Sequence, residues 1–156
     1  MRLAGICEES LFNTQGVNTV IFTQGCPHKC PGCQNPSTWE LNGGYSVPAG
    51  VLIQHIQSNA KMSSGIVFSG GEPIMQIDEV ITIARRAREL GKSVTMYTGY
   101  TLSFDQEDEV VCSCKYCATT FPKEYLKWID TIIDGPFEQT MRDYSEEPKV
   151  VQINEF

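Results

Sequence analysis

Cys26, Cys30 and Cys33 stand within eight residues of one another, in the stretch Thr23-Gln-Gly-Cys-Pro-His-Lys-Cys-Pro-Gly-Cys-Gln-Asn-Pro-Ser-Thr-Trp39. Any fold this chain adopts must present that loop with three thiols facing a common guest. A tetrahedral zinc site wants four ligands and usually takes its cysteines as C-x2-C pairs, whereas this spacing offers three and no fourth nearby. A cube-shaped iron–sulfur cluster normally takes one cysteine per iron. Three cysteines then leave one iron with an open position, where a substrate or cofactor can bind directly. Gly25 and Gly32 permit positive-φ turns, and Pro27 and Pro31 stiffen the remainder. The competing readings are a zinc-bound turn completed by His28 and a structural disulfide.

The rest of the composition narrows the setting. At 156 residues the chain suits a single domain, 1–156, with one real core. Seven cysteines, an odd number, with no N-terminal signal pattern, argue for thiolate chemistry in a reducing compartment, which predicts a cytoplasmic location. No apolar run approaches membrane-spanning length, so no membrane partner is expected. The net charge is −7 and no basic block exceeds Arg85-Arg86, which argues against nucleic acid.

Along the chain, Arg2 to Ile6 reads as a first strand, followed by polar turns at Glu8–Ser10 and Asn13–Gly16. Val17 to Thr23 is a β-rich run that delivers the chain into the cysteine loop. Ser46 is a candidate helix cap with Pro48 in the first turn, and Ala49, Leu52, Ile53, Ile56 and Ala60 share a helical face. Gly65 to Ser69 is a buried-type strand ending in Gly70-Gly71-Glu72-Pro73. Ile77, Val80, Ile81, Ala84 and Ala87 form the next amphipathic helix, stopped by Gly91. Strands at Ser93–Tyr97 and Thr131–Ile133 leave through Thr98-Gly-Tyr100 and Asp134-Gly-Pro-Phe137. Strands alternating with helices predict an α/β fold with mostly parallel strands, and ligands sit at the carboxyl ends of such strands. The four special loops are therefore expected to meet on one face. Pro122 starts a short helix with Tyr125, Leu126 and Ile129 inward, and the tail from Tyr144 reads as loop, then a strand at Lys149–Ile153.

C-x3-C-x2-C resembles the cluster motif of the radical S-adenosylmethionine (SAM) enzymes. The longer stretch Phe22 to Trp39, followed in order by Gly-Gly-Glu-Pro, Tyr-Thr-Gly-Tyr-Thr and Ile-Asp-Gly-Pro-Phe, is similar to the activating proteins of the anaerobic (class III) ribonucleotide reductases. The likeness covers about residues 13–142. It implies a single-domain partial, truncated β/α barrel of the radical SAM type. It also implies that Cys26, Cys30 and Cys33 hold a 4Fe–4S cluster whose open iron chelates SAM. Gly70, Gly71, Glu72 and Pro73 would line the methionine end, with Glu72 accepting from its ammonium, and Thr98 and Asp134 are further candidates. The implied reaction is reductive cleavage of SAM to a 5′-deoxyadenosyl radical, which installs a glycyl radical on a large partner enzyme, anaerobic ribonucleotide reductase. An electron donor such as a flavodoxin-like protein would supply the reductant. The chain departs from that family at Thr14-Gln-Gly-Val-Asn18, where relatives carry Gly-Pro-Gly-x-Arg, and in 144–156, which lacks their Arg-Gly-Ser…Asn-Gln stretch.

A third departure is an insert at about 105–121 carrying Cys112, Cys114 and Cys117. Its acidic flank and low apolar content suggest a loop that needs a cross-link, and C-x-C-x2-C predicts a second metal site, structural zinc rather than a second cluster. Cys7 is the fourth-ligand candidate, with His55 or water otherwise. Unligated thiols are the alternative. Trp39 is expected to pack under the cysteine loop, and His28 to be exposed. The functional alternatives are a small radical SAM enzyme for a small molecule or another glycyl radical enzyme, and a zinc-binding interaction module. Colour separates the last, since an iron–sulfur cluster is brown and zinc is silent.

Overall fold

The computed structural model describes residues 1–11, 16–59, 61–105, 107–115, 117–139 and 151–152. Four parallel strands form its centre: β2 (Asn18–Thr23), β4 (Gly65–Gly70), β5 (Ser93–Tyr97) and β9 (Thr131–Ile133). They lie side by side in the order β9-β5-β4-β2. β1 (Arg2–Ser10) and β3 (Tyr45–Ser46) extend one edge antiparallel, and β10 (Val151–Gln152) pairs antiparallel with β9 on the other. The fold is thus α/β with a parallel centre, as the alternating pattern predicts. No helix is long and apolar enough to cross a membrane among the described residues.

The strands form where β-branched and aromatic residues run together, and their alternate residues serve two faces. Ile21, Ile66, Phe68, Val94, Met96 and Ile132 point into the main core, where α1 (Ala49–Ser58) contributes Leu52 and Ile56. α2 (Ile77–Glu89) adds Val80, Ile81, Ile83, Ala84 and Ala87. Asp78 and Glu79 in its first turn and Arg86 and Arg88 in its last suit the helix dipole. Gly91, at φ +72°, lets the chain turn out of α2.

Two expectations need correction. Ser46 does not cap α1: it pairs with Arg2 in β3, and Pro48, extended at ψ 137°, is the residue before the helix. The insert is not an irregular loop. β6 (Thr101–Phe104), β7 (Glu109–Ser113) and β8 (Ala118–Pro122) form a three-stranded antiparallel meander. Val110, Cys112 and Phe121 are buried in the main core, while Ser113 and Thr120 lie toward solvent and Glu109 is half-buried. Three inward residues are enough to seat a small sheet without a cross-link. The expected short helix after Pro122 is a 3-10 helix over Lys123–Trp128, with Leu126 and Ile129 buried and Tyr125 half-buried. Most of the Asn13–Gly16 turn, Ala60 and nearly all of the tail from Tyr144 lie outside the described residues.

Candidate metal centre

β2 ends at Thr23, and the cysteine loop begins where its neighbours hold it by the backbone. The Gly25 N–H donates to Thr38 O at 2.8 Å and that of Cys26 to Trp39 O at 3.2 Å, so the outgoing and returning limbs are zipped together. The buried Gln24 side chain donates to Glu40 O at 2.7 Å and to Ser37 O at 3.3 Å. Gly25 (φ +96°), Lys29 (φ +47°) and Gly32 (φ +75°) are left-handed, which coils the chain tightly between the thiols. Lys29 has no glycine's licence for this, and the strain falls between two of the three cysteines. Cys26 is buried, while Cys30 and Cys33 are half-exposed. The Asn35 N–H donates to the Cys33 sulfur at 3.4 Å. Trp39 is half-buried and its indole N–H has no hydrogen-bond acceptor among the described residues.

The loops at the strand ends meet as predicted, and Glu72 is the reason. Gly71 N–H donates to Thr23 O and Glu72 N–H to Gly25 O, each at 2.8 Å, which lays the β4 loop on the root of the cysteine loop. A Cβ on Gly71 would stand 2.4 Å from Gly25 O, so glycine is what permits this approach. The Glu72 carboxylate is fully buried. Its Oε1 accepts from Ile74 N–H (3.0 Å) and Thr98 Oγ1 (2.8 Å), and its Oε2 from Gly99 N–H (2.9 Å) and bonds His28 Nε2 (2.8 Å). A carboxylate has about four lone-pair sites, and here the protein occupies them. Glu72 is therefore a bracket between three loops, not the free acceptor that the resemblance implies.

His28 is not exposed. It lies 8% exposed, against Glu72 and edge-on to Tyr100, with ring centroids 4.5 Å apart. Burial opposes its charging, but the bond to Glu72 and that carboxylate's charge, with a further hydrogen bond to Cys114, outweigh it and raise its pKa. Glu72 lies 44 residues away, so no local signal in the sequence could have drawn His28 inward. Thr98 is buried, donating to Glu72 and accepting from Tyr100 N–H at 3.1 Å. Asp134 accepts from Leu102 N–H at 2.8 Å and so fixes the start of β6. Both hold loops in place.

The second cysteine group divides. Cys114 and Cys117 bring their sulfurs to 2.8 Å, at the turn between β7 and β8. Cys112 is in the core, where burial first, and then the charge of Glu72, push its pKa up to about 12. Cys7 is exposed on β1, and His55 pairs with Glu8 at 2.6 Å. Among the described residues no three His, Cys, Asp or Glu side chains gather round a point where one metal ion could sit. With Cys112 in the core and only Cys114 and Cys117 paired at the turn, the three thiols of the second group do not face one point.

The donor set of the cysteine loop fits an iron–sulfur cluster. Burial raises the Cys26 thiol to about 11, opposed by the backbone N–H groups of His28 and Lys29 and aided by the charges of Glu72 and Cys30. A buried sulfur of that kind becomes a thiolate only beside strong positive charge, and a coordinating metal removes its proton outright. Three soft ligands on a loop tied at its root suit iron–sulfur binding.

Comparison with known proteins agrees. Three relatives are each named anaerobic ribonucleoside-triphosphate reductase-activating protein. That of Escherichia coli (strain K12) is 28% identical over 142 residues, covering 86% of this chain and 84% of its own. That of Salmonella typhi is 29% identical over 140 residues, 85% and 82% of the two chains. That of Enterobacteria phage T4 is 29% identical over 135 residues, 83% and 76%. The family profile described as a 4Fe-4S single cluster domain matches residues 12–153, which take in the cysteine loop, the Gly-Gly-Glu-Pro loop and the parallel strands that carry them. This chain belongs to that family of single 4Fe–4S cluster domains.

Proposed function

We propose that this chain is a radical SAM activase that installs the glycyl radical of an anaerobic ribonucleoside-triphosphate reductase. The observation that carries the reading is the joining of the three-cysteine loop to the Gly-Gly-Glu loop at the carboxyl ends of β2 and β4. It is joined by the names of the relatives, which are activating proteins of that reductase. In this reading Cys26, Cys30 and Cys33 hold the cluster, and the parallel centre is a truncated β/α barrel. A bound cluster supplies one-electron reduction of the SAM sulfonium, the source of the radical that reaches the partner's glycine.

The residues of this chain do the positioning. Gly70 and Gly71 offer backbone to the methionine end of SAM. Because protein donors fill the Glu72 oxygens, we assign the ammonium contact to that backbone, with Pro73 setting the turn behind it. Glu72, with Thr98 and His28, keeps the loops in register, and Asp134 supports the neighbouring sheet. A sheet of this size has little material with which to close over a small substrate, which favours a peptide loop of a second protein. An electron donor of the flavodoxin class completes the system, in the reducing cytoplasm where free thiols persist.

The test is anaerobic incubation of the cluster-loaded chain with dithionite, SAM and an anaerobic ribonucleotide reductase, followed by electron paramagnetic resonance. A glycyl doublet that depends on all four components is the expected result. Its absence, with SAM cleaved all the same, would move the chain to small-molecule chemistry.

A further inference from the structure

The Cys114–Cys117 pair lies outside the cluster assignment and has a chemistry of its own. The two sulfurs stand 2.8 Å apart, closer than two sulfurs in van der Waals contact. The turn that carries them is held by Cys114 N–H donating to Cys117 O at 2.8 Å. Cys117 N–H donates back to the Cys114 sulfur at 3.2 Å, a contact that favours negative charge on that sulfur. Both residues are half-exposed, so a small reagent can reach them, and neither is in a disulfide. Cys112, two residues before, is fully buried and inaccessible. The C-x2-C spacing is the one at which one thiol attacks and the other resolves.

We propose that Cys114 and Cys117 are a redox-active dithiol that exchanges with small-molecule disulfides and closes to an intrachain disulfide. The Cys114 thiolate attacks one sulfur of the small disulfide, forming a mixed disulfide and releasing one small thiol. The Cys117 sulfur then attacks Cys114 Sγ, forming the intrachain bond and releasing the second. Two thiols of the chain are oxidised and one small disulfide is reduced to two thiols, which take up the two protons that the cysteines give up. Cys114 hydrogen-bonds His28, which sits between Cys26 and Cys30.

The experiment treats the anaerobic, cluster-loaded full chain with glutathione disulfide, blocks the remaining thiols by alkylation and maps the peptides by mass. The expected product is a peptide with Cys114 and Cys117 joined and neither alkylated, restored to two alkylated thiols by reduced glutathione. In Cys117→Ser the reaction is expected to stop at a glutathione adduct on Cys114, with circular dichroism as the check on folding. Three results overturn the proposal: both cysteines alkylated after treatment, separate glutathione adducts on each in the unsubstituted chain, or one zinc per chain shielding the pair. The unsubstituted chain alone decides between these outcomes, even if the variant does not fold.

Discussion

Glu72 accepts from four groups on three loops without exposing any surface. Glu72→Gln turns one of those acceptors into a donor that faces donors. The expected cost is about 3 kcal/mol, a fall in melting temperature of about 6–12 °C for a chain this long, read by thermal unfolding. Because the same substitution frees His28 in the cysteine loop, iron retention should fall with it. A variant that keeps its iron and melting temperature and loses only SAM affinity would return Glu72 to the ammonium contact. Cys26→Ala, Cys30→Ala and Cys33→Ala should each drop iron and visible absorbance to background, and full retention in any of them removes that residue from the ligand set. The cysteines were legible because their spacing is local. The burial of His28 and the saturation of Glu72 were not, since both arise from contacts across 26 to 44 residues.

Between elements, the close approach of the β4 loop to the root of the cysteine loop can be tested with paired glycines. Gly71→Ala puts a methyl 2.4 Å from the Gly25 carbonyl, which is backbone and cannot swing aside. It should prevent stable cluster loading, measured as iron per chain. Gly50→Ala is the counterpart, because Gly50 is exposed in α1 and a Cβ there meets nothing within 4 Å. It should stabilise the fold by about 0.5–1 kcal/mol in urea unfolding. The β6–β8 meander makes a different prediction. Cys112 titrates near 12 in the fold against 9.0 ordinarily, so the unfolded chain loses this proton first as pH rises. Its contribution is complete below about pH 9 and fades towards about pH 12, and Cys112→Ala should flatten that alkaline decline in urea midpoints. Strands β2, β4, β5 and β9 could be read from their apolar runs. The meander was missed because its inward residues, Val110, Cys112 and Phe121, are few and sit among acidic and polar neighbours, and the thiols drew attention to metal instead of to strand alternation.

At the scale of the whole molecule, the core formed by α1, α2, β4, β5 and β9 includes none of Cys26, Cys30 and Cys33. Sequence periodicity showed this layering well, because a helix or strand must bury one face whatever its loops do. The meeting of the loops was expected from the rule for parallel sheets, whereas the bonds that lock them together had to be seen. Their footing is protein on protein: Gln24 and Gln76 reach backbone carbonyls, Gly25 meets Thr38, and Glu72 gathers the rest. On that footing the chain is expected to keep its shape without iron. Zinc-finger domains must meet their metal in order to fold, whereas a loop footed on protein contacts predicts the reverse order here: folding first, then cluster insertion as a late step that can be repeated after cluster loss. The metal-free chain should accordingly show a cooperative thermal transition and native circular dichroism, and should regain full iron content on anaerobic reconstitution without prior denaturation.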